Sequence, residues 1–146
     1  MKPYVGESFE RVVTIDDESI RHFATTYGDD NPLHHDAAFA ATTRFGGIIA
    51  CGPHYLSLLF SVAATYFSRT TSMVGMEFDV KFLAAVKAGT TVRLAWRVTD
   101  VTPKPSLNGD IVSLAGEVID TATGTVAMRS TGKVLVMPLR AARAEG

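Results

Sequence analysis

The stretch Tyr55-Leu56-Ser57-Leu58-Leu59-Phe60-Ser61-Val62-Ala63-Ala64-Thr65-Tyr66-Phe67 is apolar on nearly every side of a helical wheel. A helix without a polar face must be covered by protein over most of its surface. Cys51-Gly52-Pro53 leads into it, and proline suits a first helical turn, so a helix is expected from about residue 53 to 67. The cover follows in the chain. Met76, Phe78, Val80 and Phe82 alternate with Glu77, Asp79 and Lys81. Val92, Leu94, Trp96 and Val98 alternate with Thr91, Arg93, Ala95 and Arg97. A period of two is the signal of half-buried strands. Residues 87–90, with Gly89, join these two. Residues 103–110 form a turn-rich connection containing Pro105 and Asn108-Gly109. Residues 111–120 and 125–137 read as two further strands joined through Gly124 in a short hairpin, with Gly132 expected at a bulge. Helices followed by hairpin-linked strands imply an α+β fold with an antiparallel sheet.

Upstream, residues 9–14 include the β-branched Val12 and Val13 and read as a short first strand. Thr14 with Asp17 has the form of a capping box, and Asp16 and Glu18 also suit a helix N-terminus. Ile20, Phe23, Ala24 and Tyr27 fall on one helical stripe, which places Tyr27 in the core. That helix runs into Tyr27-Gly28-Asp29-Asp30-Asn31-Pro32-Leu33-His34. Pro32 drives Asn31 out of the helical region, and Gly28 permits a positive φ. Asp29 and His34 are therefore expected on a rigid, irregular loop. A carboxylate and an imidazole that converge can share proton transfer near neutral pH. Asn31 can orient either of them, or a water, through its side-chain amide. Because Asp29 and His34 sit on a loop, replacing either is expected to leave folding little changed. Asp, Asn, Gly and Pro are also ordinary turn residues, and on those alone the run is only a connection. Asp36 suits the N-cap of a short helix ending at Ala41. Residues 42–49 read as a loop with Gly46-Gly47 as its flexible point, and residues 140–146 as a frayed tail.

A chain of 146 residues suggests one domain, 1–146, long enough to bury one good core. Hydrophobic content of 47% with 20% charged residues fits a soluble globular protein. A net charge of -1 argues against a general nucleic-acid binder. The single Cys51 rules out an internal disulfide and fits a reducing compartment. The first 13 residues carry Lys2, Glu7, Glu10 and Arg11 and no apolar run, so no secretory signal is read there and a cytoplasmic location is expected. The longest uncharged apolar run, from about residue 45 to 67, is broken by Gly46, Gly47, Gly52, Pro53 and His54, and reads as a buried helix rather than a membrane span.

Gly28, Asp29, Asn31, Pro32, Leu33 and His34 match the pattern Gly-Asp-x-Asn-Pro-Leu-His, with Asp30 in the free position. The run resembles the signature of the MaoC-like, (R)-specific enoyl-CoA hydratases. The likeness continues through Asp36, Ala38, Phe39, Ala40 and Ala41-Thr42-Thr43, and more loosely over nearly the whole chain as a single hot-dog domain. An unbroken match of this length is far more specific than a lone glycine motif. The resemblance implies an antiparallel sheet wrapped around the central apolar helix. It implies a lyase that reversibly hydrates trans-2-enoyl thioesters to (3R)-3-hydroxyacyl thioesters. Asp29 and His34 would be its catalytic pair, with Asn31 in support. No metal and no cofactor is implied beyond the coenzyme A or acyl carrier protein of the substrate. A homodimer is expected, with no nucleic-acid or membrane partner. The family also places an oxyanion-hole glycine at the start of the central helix, where free N–H groups and the dipole favour an anion. Pro53 lacks an N–H, so Gly52 takes that role. The family's glycine typically follows His and precedes Met; here the neighbours are Cys51 and Pro53.

Other readings compete for the same residues. His35, with Asp29 or Asp36, could contribute to a metal site, although neighbouring histidines rarely reach one ion. Cys51 could be a nucleophile activated by the helix N-terminus, although cysteines are more often simply buried. His22 and His54 read as structural or surface residues, Ser57 and Ser61 as bonding back to their helix, and Lys81, Arg93 and Arg97 as a solvated strand face. A non-catalytic acyl-binding or supporting subunit of a dehydratase would share the fold but has no need of the Asp29/His34 pair. A hot-dog thioesterase would need Asp29 to drive attack at the carbonyl carbon. Acyl length and the choice of carrier stay open.

Overall fold

The structure, a computed structural model, describes residues 2–139, so the expected tail at 140–146 lies outside the described residues. The chain runs β1 (Ser8–Ile15), α1 (Asp17–Tyr27), a 3-10 turn (Pro32–His34), α2 (Ala37–Ala41), α3 (Gly52–Ser68), β2 (Thr71–Phe82) and β3 (Thr90–Lys104). A second 3-10 turn (Pro105–Leu107), β4 (Gly109–Asp120) and β5 (Val126–Pro138) complete it. The strands form one sheet in the order β1-β3-β4-β5-β2, every pairing antiparallel.

The alternation in the strands aims Val92, Leu94, Trp96 and Val98 of β3 and Val112, Leu114 and Val118 of β4 at α3. They meet Tyr55, Leu59, Val62, Ala63 and Phe67 from the helix. Each such side chain contributes roughly 1.5–3 kcal/mol when fully buried, which makes this layer the main source of stability. The Trp96 indole N–H donates to the Leu59 carbonyl at 2.7 Å, so the largest sheet residue is also fastened to the helix backbone.

Gly132 is not at a bulge. It pairs in register with Phe78, and a Cβ there would lie 2.1 Å from Phe78 Cδ1. Glycine is required to admit the ring. The bulge lies on the partner strand, between Gly75 and Glu77, and Met76 is exposed there instead of facing the core. β2 begins at Thr71, before the alternation becomes visible, because Thr71 is buried with its hydroxyl bonded to the Phe67 carbonyl at the end of α3. β3 shifts register between Val98 and Asp100 and continues to Lys104, so part of the expected 103–110 connection is strand.

At α1 the N-cap is Asp16, which accepts from the Ser19 N–H at 2.8 Å. Those Ser19 bonds hold its carboxyl below the usual carboxylate range. Thr14 belongs to β1 and hydrogen-bonds Thr91 across the sheet at 2.7 Å, so it is unavailable as a cap. Ile20 and Ala24 are buried as the stripe predicts, but Tyr27 is 73% exposed. It is the last residue of α1 and its ring rests on Phe23 at 4.7 Å. Among the described residues no helix is long and apolar enough to cross a membrane.

Candidate active site

Gly28, at φ 77°, ends α1 in the left-handed conformation that glycine adopts without strain. The Asp29 N–H then donates back to the Ala24 carbonyl at 2.9 Å, which fixes how Asp29 leaves the helix. Its Oδ1 accepts from the Asn31 N–H at 3.0 Å, and its Oδ2 lies 3.4 Å from His34 Nε2. Asn31 Oδ1 accepts from the Leu33 N–H at 3.1 Å and caps the turn Pro32–His34. The support Asn31 lends Asp29 therefore comes from its backbone, while its side-chain oxygen is occupied in holding the turn.

His34 is 5% exposed, and its Nδ1 meets the Ile49 carbonyl at 2.7 Å. A carbonyl only accepts, so Nδ1 carries the proton and Nε2 is the atom presented to Asp29. The Ile49 N–H returns a bond to the Leu33 carbonyl at 3.2 Å. Ile48 and Ala50 are held from the other side, by Ala88 and Val86 at 3.0 and 2.8 Å. His34 is thus fixed to the short extended segment that runs straight into α3. Nothing in the sequence marks Ile49 for this role, because it acts through its backbone.

At 3.4 Å, Nε2 and Oδ2 are farther apart than a good hydrogen bond. With His34 neutral, both atoms are acceptors, and a proton or a shared water must mediate between them. His34 supplies a buried wall and Asp29 a side chain 37% exposed, so water reaches the pair from one side.

The segment that holds His34 leads into the N-terminus of α3. Cys51 is its N-cap and no side chain caps the helix. Among the described residues no protein acceptor takes the Gly52 N–H. The Phe82 ring covers this residue: a Cβ on Gly52 would lie 2.8 Å from Phe82 Cε1. Cys51 is buried, and burial followed by the charge of Asp29 pushes its thiol pKa up. This agrees with a simply buried cysteine rather than an activated nucleophile, and it places Asp29 within electrostatic reach of the start of α3.

The remaining candidates have other partners than Asp29 Oδ2 and His34 Nε2. His35 Nε2 meets the Asp29 carbonyl at 2.6 Å. His54 is buried with its ring stacked on Phe23 at 4.7 Å, and burial pushes its pKa down. Ser57 and Ser61 bond to the Pro53 and Leu58 carbonyls, and Arg93 pairs with Glu10 at 3.2 Å on the outer sheet face. Among the described residues no three of His, Cys, Asp and Glu converge as a metal site.

An antiparallel sheet wrapped around one buried helix is the hot-dog fold. Residues 3–122 match the model of the MaoC like domain, and the chain belongs to that family. It is similar to the solved R-hydratase PhaJ1 from Pseudomonas aeruginosa, at 26% identity and a TM-score of 0.81, covering 99% of this chain and 91% of that one. It is similar in fold to the (R)-hydratase from A. caviae involved in PHA biosynthesis, at 24% identity and a TM-score of 0.79, over 90% and 96% of the two chains. The C-terminally truncated HadBC (3R-hydroxyacyl-ACP dehydratase) complex from Mycobacterium tuberculosis shares the fold at 18% identity and a TM-score of 0.74, over 93% and 99%. No curated protein matches the chain.

Proposed function

We propose that the protein is an (R)-specific hydratase of trans-2-enoyl thioesters, with Asp29 and His34 as its acid–base pair and the Gly52 N–H as its oxyanion donor. The observation that carries this reading is the approach of Asp29 Oδ2 to His34 Nε2, 3.4 Å, with the imidazole tautomer set by the Ile49 carbonyl. A water held between those atoms attacks C3 of the enoyl thioester as one of its protons passes to the pair. Negative charge develops on the thioester oxygen, which the Gly52 N–H and the positive end of α3 stabilise. A proton from the pair then reaches C2. The sum is addition of one water, and the pair returns to its starting state. In magnitude, a positioned acid or base contributes about 10²–10⁴ in rate and one oxyanion donor about 10²–10³.

The reaction as written uses no metal and no cofactor, only the coenzyme A or acyl carrier protein that bears the acyl group. We place the enzyme in the cytoplasm and assign it a homodimer. β2 is an edge strand on which Val74 and Met76 are 50% and 48% exposed, and a second copy would cover them. A supporting-subunit role, suggested by the likeness to a heteromeric dehydratase, accounts less well for a buried histidine fixed with its free nitrogen toward a carboxylate. Incubation with crotonyl-CoA and longer enoyl-CoAs tests the proposal. Loss of the conjugated absorbance with formation of the (3R)-alcohol is the expected result; a protein that hydrates none of them is not this enzyme.

A further inference from the structure

Asp29 is held at four points. Its N–H bonds Ala24 at 2.9 Å, its Oδ1 bonds Asn31 at 3.0 Å and its Oδ2 faces His34 at 3.4 Å. The fourth hold is on its backbone carbonyl, which accepts from His35 Nε2 at 2.6 Å. Since the carbonyl can only accept, the proton lies on that nitrogen. Among the described residues no other group donates to this carbonyl. His35 is held in turn. Its own carbonyl accepts from Arg21 Nη1, and Arg21 Nε donates to Asp17 Oδ2 at 2.9 Å. Asp17, Arg21 and Asp29 belong to α1 or its end, so the contacts close a ring from α1 through His35 back to the residue that follows the helix.

We infer that His35 is a positioning residue for the hydration reaction, fixing the Asp29–Asp30 peptide plane and so aiming the Asp29 carboxylate at His34. This rests on the hydratase reading of the pair. The Asp29–Asp30 peptide leads on to Asn31, whose N–H holds Oδ1 at 3.0 Å, so a peptide freed to turn displaces that donor and the carboxylate bonded to it. The other holds on the carboxylate compensate little: Asn31 bonds only Oδ1, and Oδ2 at 3.4 Å from His34 Nε2 is beyond a good hydrogen bond. A displacement of ~1 Å in a reacting group costs about 10²-fold in rate.

Three variants test the hydrogen bond against mere packing. His35→Gln carries an amide nitrogen that reaches the Nε2 position, whereas His35→Asn ends near the Nδ1 position and His35→Leu has no donor. With crotonyl-CoA, His35→Leu and His35→Asn are expected to lose about 10- to 10²-fold in kcat with KM little changed, and His35→Gln to stay close to the parent. Melting temperatures are read alongside, because a packing role would rank activity with stability and not with donor position. Parental kcat in His35→Leu overturns the inference. If the parent hydrates no enoyl thioester, the hydratase reading fails by itself. Crystal structures of the parent and His35→Leu then decide the positioning role. A carboxylate displaced from His34 in the variant upholds it, and an unmoved carboxylate overturns it.

Discussion

Replacing Asp29 with asparagine separates chemistry from folding. The amide keeps an oxygen to accept from the Asn31 N–H, now at 3.0 Å, and the backbone bonds to Ala24 and His35 are untouched. What disappears is the capacity to take or give a proton. Loss of that function is expected to lower turnover by about 10²–10⁴, or roughly 2.7–5.4 kcal/mol of barrier at 1.36 kcal/mol per tenfold. The stability term is much smaller. The Asp29 side chain is 37% exposed and its approach to His34 is 3.4 Å, so the pair contributes at most about 1 kcal/mol, or about 2–4 °C in Tm. The assay follows loss of enoyl absorbance from crotonyl-CoA, with Tm measured on the same preparations. Parental turnover in Asp29→Asn refutes the assignment, and a lost fold would show that Asp29 is structural. His34→Ala is a poorer partner experiment. The expectation that both substitutions spare folding is corrected for His34, which is buried and satisfies the Ile49 carbonyl; removing it leaves an unpaired acceptor worth about 1–3 kcal/mol. His34→Asn retains a donor near Nδ1 while removing Nε2, and is expected to match Asp29→Asn in rate.

In D2O, one pair serving both C2 and C3 should add water across one face, giving a single syn diastereomer of the 2-deuterated alcohol by NMR; an anti product would require a separate acid. Gly132→Ala sets a Cβ 2.1 Å from Phe78 Cδ1 and 2.8 Å from the Glu77 carbonyl, and is expected to cost about 1–3 kcal/mol by urea denaturation, partly recovered by Phe78→Leu. The hydrogen bond from Tyr66 to Glu7 pushes the phenol up to about 12 from 10.0. A folded-state pKa above the unfolded one contributes stability that is full below pH 10 and lost as pH rises toward 12. Tyr66→Phe should flatten that part of the parent's pH–stability curve, and identical slopes would contradict the link. Light scattering at micromolar concentration should report a dimer, with Met76→Lys shifting it toward monomer.

The parts of the fold that could be read early are those written locally. The all-apolar run of α3, the alternation of β3 and the Asp36 cap each depend on neighbours within a few residues. Tyr27 shows the limit of periodicity: its position on the stripe of α1 is correct, yet the helix ends there and the residue has only Phe23 to pack on. Gly132 shows another limit. A glycine in a strand signals either a bulge or a ring needing room, and only the cross-strand register with Phe78 decides which. Thr14 was open to two roles, cap or strand, and the choice follows from Thr91, a partner 77 residues away.

The site divides in the same way. The residue types and the loop that carries them are local, since Gly28 ends the helix and turns the chain, Asn31 caps the next turn and Pro32 opens it. The chemical state of the histidine is not local. An imidazole bonded through Nδ1 to a carbonyl and one bonded through Nε2 present opposite atoms to Asp29, and the motif is compatible with both. Ile49, 15 residues on, selects the first. Because that carbonyl belongs to the segment leading into α3, the same piece of backbone aims Nε2 at Asp29 and sets the start of the helix whose Gly52 N–H we propose as the oxyanion donor. On that proposal the acid–base pair and the oxyanion donor form one mechanical unit. A backbone change between Ile48 and Gly52 would be felt by both, whereas an added side chain at the exposed Asp30, beside the same motif, would be felt by neither.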